Sequence, residues 1–118
     1  MKNVIVLSEA AEDLEMGRDF YHSQDIGVGD YFVDSLLSDI ESLRLFHGIH
    51  PIHFNYHRML ADRFPFGIYY EITDAVVQVV AVLDLRKDPL WIRSELSQDN
   101  PTANNRMQAT GVLPVPDP

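Results

Sequence analysis

Four cationic side chains, Arg58, Arg63, Arg86 and Lys87, stand between residues 58 and 87 at positions that a β-sheet would gather. A guanidinium neutralises phosphate or carboxylate charge and offers a planar fork of donors, so such a gathering makes a working surface for anionic groups. The plainer reading pairs Arg58, Arg63 and Arg86 with Asp62, Asp84 and Asp88 at the surface, where an ion pair contributes little. His47, His50, His53 and His57 invite a metal reading, yet only His53 and His57 stand four apart, the segment reads as a loop and cysteine is absent. No metal site is therefore expected.

Those cations must be positioned by the elements around them. Val4 to Leu7 is a short β-branched run closed by Ser8, a residue type that caps helices, with Glu9 and Glu12 suited to a helix N-terminus. Ala10, Leu14, Gly17 and Tyr21 then form a helical stripe whose small residues allow close approach, ending near Gln24. After a turn at Gly27 and Gly29, Phe32, Val33, Leu36, Leu37, Ile40 and Leu43 mark a second amphipathic helix, and the two make a hairpin. Phe46 to Tyr56 reads as a loose connection. Strands are expected over 56–64, broken by Pro65, over 66–72, and over 76–85 after the tight link Thr73-Asp74-Ala75. The last is apolar at nearly every position, as in a strand covered on both faces. A short helix over 90–96 follows, with Pro89 at its first turn. Phe64, Pro65, Phe66, Tyr69 and Tyr70 read as core and turn residues, and Trp91 as a cap on the sheet end.

The chain has 118 residues and 46% hydrophobic content, enough for one core. It carries 18 acidic and 9 basic residues, a formal charge of -9. The excess lies almost wholly between Glu9 and Glu41, where Arg18 is the lone base, so the helical faces are acidic and solubilising while acids and bases balance from Arg44 to Leu96. With no cysteine and an N-terminal apolar run too short for an export signal or a membrane span, a cytoplasmic protein with no membrane association and no cofactor is expected. The domain is taken as residues 1–97. Residues 98–118 are polar, rich in proline and without period, and read as a disordered tail whose deletion leaves the melting temperature unchanged.

The order strand, helix, helix, three strands, with the runs Arg63-Phe-Pro-Phe-x-Ile-Tyr-Tyr70 and Val82-Leu-x-x-Arg-Lys-Asp-Pro-x-Trp91, resembles the RelE/ParE superfamily of type II toxins, and within it the ParE-like plasmid stabilisation branch. The resemblance covers residues 4 to about 96. It implies an α+β fold of order β-α-α-β-β-β(-α), in which a helical hairpin packs on a small, mainly antiparallel twisted sheet. It further implies a bacterial toxin neutralised by a cognate antitoxin, with Arg58, Arg63, Arg86, Lys87 and Trp91 as residues for binding the target or the antitoxin. Asp84 stands where the family often has His, and Lys87 where it often has Arg.

Toxins of this superfamily either cleave messenger RNA in the ribosome or inhibit DNA gyrase. Cleavage through the 2′-hydroxyl needs a base, a cation for the pentavalent charge and an acid for the leaving oxygen. The candidates for a nuclease are Arg58, Arg63 and Arg86 for charge, with His57, His53 or Tyr70 in place of the lysines that RelE-type enzymes carry before the first arginine; Ile52-His-Phe-Asn-Tyr-His57 has none. The acidic helices would also be repelled by the phosphate-dense decoding site, at a screening length of about 8 Å. A ParE-like inhibitor acting by protein contact is thus the first reading. The alternatives are a RelE-like ribosome-dependent interferase and a decayed, non-toxic homologue that only binds an antitoxin. A sheet face rich in Tyr, Val and Leu calls for a partner, whether an antitoxin or a second copy forming a homodimer.

Overall fold

In the computed structural model, which describes residues 1–97 and 112–114, β1 (Asn3–Leu7) runs directly into α1 (Ser8–Gln24) with no loop between them. Ser8 is therefore the first helical residue, and the capping position falls on Leu7, which makes no side-chain cap. α2 (Val28–Glu41) antiparallels α1 after a turn in which Gly27 takes φ 93°. The seam between the helices depends on two missing side chains. A Cβ on Gly17 would lie 2.5 Å from the Phe32 ring, and one on Gly29 would lie 2.6 Å from the Arg18 carbonyl oxygen.

A single turn, α3 (Leu43–Phe46), continues α2 and was not legible in the pattern. The connection to the sheet is more ordered than expected: β2 (Ile52–His53) pairs antiparallel with β3 (Tyr56–Leu60). The residues between them, Phe54 and Asn55, both have positive φ, at 54° and 73°. That is the signature of a two-residue primed hairpin turn, which Asn tolerates and a bulky aromatic does not. Phe54 gains little in return, being exposed. Phe54→Asn should therefore raise stability by about 1 kcal/mol, read as a higher urea midpoint with unchanged slope; a lower midpoint would show that the ring packs usefully.

β3 stops at Leu60, earlier than the expected 64, because Ala61 turns its amide to the Phe66 carbonyl and residues 61–65 become the link to β4 (Phe66–Ile72). β5 (Val76–Asp84) follows across a turn closed by Thr73, whose Oγ1 accepts from the amides of Ala75 and Val76. α4 (Pro89–Leu96) begins with Asp88 accepting from the Leu90 amide at 2.8 Å.

The sheet order is β2-β3-β4-β5-β1-β6, antiparallel throughout except for the parallel pair β1 and β5. The hairpin crossover returns the chain so that the longest, most apolar strand lies at the centre. One face buries Val4, Val6, Ile68, Tyr70, Val77, Val79 and Val82 against Ala10, Leu14, Phe32, Leu36 and Ile40 of the hairpin. The other buries Leu7, Tyr56, Tyr69, Ala81 and Leu83 together with Ile92 and Leu96 of α4. β5 is thus covered on both faces, as its unbroken apolar run implied. It outreaches β1, and past that end α1 takes the place of a strand: Asp13 Oδ2 accepts from the Val82 amide at 3.0 Å.

The tail expected to lack structure falls mostly outside the described residues. Within it, Val112–Pro114 form β6, antiparallel to β1, with Leu7 opposite Val112, Val6 opposite Leu113 and Ile5 opposite Pro114.

Candidate functional site

Alternation along β3 and β4 sends the sequence-derived candidates in different directions. Arg58 lies opposite Tyr69, and with Leu85 both crowd over Gly67 on the α4 face. Burial raises the Tyr69 phenol and the Arg58 guanidinium beside it offsets part of that rise. The Nε donor of Arg58 is buried without a hydrogen-bond partner among the described residues.

His57 and Tyr70 form the next cross-strand pair and point to the opposite, hairpin face, their rings stacked at 5.0 Å. Tyr70 is fully buried. Its hydroxyl accepts from the Gly48 amide at 2.9 Å and shares a second hydrogen bond with His50 Nδ1, 2.6 Å away. His57 Nδ1 donates in turn to the His50 carbonyl at 2.8 Å. The pair therefore pins segment 47–53 to the sheet edge, and Tyr70 has no free hydroxyl to offer a substrate. His53 lies on β2, at the edge.

Arg63 and Arg86 share a third location, the end of the helical hairpin where its turn lies, beside Tyr21 and Tyr31. Arg63 donates to the Tyr31 hydroxyl at 3.0 Å, which raises its already high pKa, and lies 3.7 Å from Asp62. Arg86 clamps Asp84 through Nε at 3.0 Å and Nη2 at 2.8 Å, and reaches the Tyr21 hydroxyl at 3.4 Å. That clamp holds the Asp84 carboxyl below the usual range. Asp62 and Asp84 thus meet arginines, as the plainer reading had them, whereas Asp88 caps α4 instead. Between these arginines Tyr21, Phe32, Phe64 and Phe66 pack ring to ring.

Lys87 and Trp91 come together elsewhere, with the ammonium 5.6 Å above the indole ring. Trp91 does not seal the sheet end; it is 39% exposed. Both line a groove of about 290 Å³ between α1 and α4 over the end of β5, with Met16 and Phe20 on its far wall and Asp13, Asp84 and Glu95 around it. Met16 and Phe20 were not singled out from the sequence. Their signal was there: two large apolar residues four apart on α1, off the buried stripe Ala10, Leu14, Gly17, Tyr21. An apolar floor with a mixed, net acidic rim suits a side chain of another protein.

No set of three or more His, Asp or Glu among the described residues is placed to hold a metal ion, and no described helix is long and apolar enough to cross a membrane.

His50 makes stability depend on pH. Its pKa is lowered, first by burial and then by the charge of His57. A folded-state value below the unfolded one of about 6.5 means that the unfolded chain binds the proton first, so stability is full above that pH and falls as the pH drops through it. Urea midpoints at pH 7.5 and 5.5 should differ in that direction. His50→Asn, which keeps an acceptor for Tyr70 but does not titrate, should shrink the difference; an equal drop in both would place the cause elsewhere.

No family model and no curated protein sequence matches the chain. Among solved structures it is similar to a chain of the chromosomal ParDE TA (toxin–antitoxin) system from P. aeruginosa, at a TM-score of 0.63 and 16% identity, over 70% of this chain and 94% of that one. The α+β architecture that the sequence resemblance implied is the one observed, and the fold is RelE/ParE-like.

Proposed function

We propose that the chain is the toxin of a type II toxin–antitoxin pair, that it acts as ParE-like proteins do by seating on a protein target, DNA gyrase, and that a cognate antitoxin neutralises it. The observation that carries this reading is the separation of Arg58 from His57 and Tyr70 by the thickness of the sheet. Phosphodiester cleavage needs base, cation and acid within reach of one bond. Here the ring groups are committed to the hairpin face and Arg86 to Asp84. The exposed apolar wall of Met16, Phe20 and Trp91, by contrast, is suited to protein contact. The TA system that holds the similar fold supports the same reading.

The test is induction of the chain in bacteria alone and with the neighbouring small gene, followed by supercoiling assays with purified gyrase and cleavage assays on programmed ribosomes. Growth arrest relieved by the neighbour, inhibited supercoiling and intact messenger are expected. Met16→Glu, at a side chain on the groove wall that is 68% exposed, should fold normally and weaken inhibition on the order of tenfold or more. Messenger cut in the ribosomal A site, with loss of cutting in Arg86→Ala, would overturn the reading.

A further inference from the structure

β6 is three residues long and lies on the outer edge of β1, an apolar strand Asn3-Val-Ile-Val-Leu7 that would otherwise end the sheet with unpaired backbone groups. Its register carries more information than its length. Pro114 stands opposite Ile5, and proline has no N–H to give, so this pair cannot exchange two ladder bonds. In an antiparallel ladder bonded and unbonded pairs alternate, which assigns the bonds to the neighbouring pair, Val6 with Leu113, and turns the polar edge of Val112 and Pro114 away from β1. The outward side of β6 therefore lacks a donor at Pro114.

We propose that Val112–Pro114 is a one-sided guard strand, supplied by the chain to itself: its inner side completes β1, its outer side is unable to template a further strand, and without it the β1 edge pairs with the β1 edge of a second copy. Two opposite demands on an edge are met at once. β1 is β-branched, short of charge and open to pairing, the features of a strand that seeds association. A strand that merely covered it would pass the same open edge outward, whereas one with proline at an outward position withholds a donor there and ends the sheet.

The test uses the full chain and two variants. Leu113→Pro removes the donor to Val6 and leaves the remaining sequence in place. Pro114→Val restores an outward donor while keeping the inner bonds. Hydrogen exchange at the Val6 amide should accelerate on the order of tenfold in Leu113→Pro, the factor equivalent to about 1.4 kcal/mol, and stay slow in Pro114→Val. Sedimentation velocity should find both variants self-associating at concentrations where the parent is monomeric, and a chain ending at Ser97 should associate as Leu113→Pro does. Unchanged exchange at Val6 in Leu113→Pro would show that β6 does not hold β1. Faster exchange with both variants still monomeric would overturn the guarding role.

Discussion

Phe32→Ala lowers stability by about 3–5 kcal/mol, a large part of the 5–15 kcal/mol typical of a domain this size. The ring has no exposed surface and meets Tyr21 at 5.2 Å, Phe64 at 5.0 Å and Phe66 at 4.9 Å. It therefore joins α2 to α1 and to the start of β4, and truncation leaves a cavity that three different elements would have to collapse together. Urea unfolding measures it, and a loss under about 2 kcal/mol would show that the cluster repacks. A coupled variant sharpens the point. Gly17→Ala alone drives a methyl to within 2.5 Å of that same ring. In the Phe32→Ala background the obstacle is gone, and the methyl adds filling and about 1 kcal/mol of helix propensity. One substitution should thus be harmful in the parent and helpful in the variant.

Gly29→Ala is the second large effect, a net loss of about 1–3 kcal/mol despite the better helix propensity of alanine. The difference from Gly17 lies in what the methyl meets: the Arg18 carbonyl oxygen at 2.6 Å and the His22 Cβ at 2.9 Å, both fixed to the α1 backbone. A ring can tilt, but a helix backbone moves only as a body, so the whole seam must widen. The melting temperature should fall by roughly 4–8 °C for each kcal/mol lost. Gly27 provides the control. Its φ of 93° sits in open space, so Gly27→Asn, a residue that visits that region, should cost far less. Equal losses at the two positions would refute the close-approach account.

Much of the architecture was legible because periodicity reports burial. The stripe through Ala10, Leu14 and Gly17 and the unbroken run in β5 each announced a face before any contact was known. β2 escaped because two residues make no period, and its turn carried Phe54 where a primed turn favours Asn or Gly. Ser8 looked like a cap because its type caps helices; that Leu7 would be pinned in a strand one residue earlier is a tertiary fact. For the site, residue type showed which groups could do chemistry and alternation alone could have separated Arg58 from His57. What sequence could not convey was distance: that Arg86 would close on Asp84, or that Met16 and Phe20 would face Trp91 across a groove.

The loopless junction of Leu7 and Ser8 acts as an angular gauge. With β1 held on both sides and α1 starting at once, nothing between them can absorb a change in length. One inserted residue would rotate α1 by about 100° against the sheet. Met16 and Phe20 would swing out of the groove, Asp13 would leave the Val82 amide, and charged residues would turn toward the core. Homologous chains that diverge freely in the turn at Gly27 should therefore keep this joint at constant spacing, since its length sets which side of the helix the rest of the molecule meets.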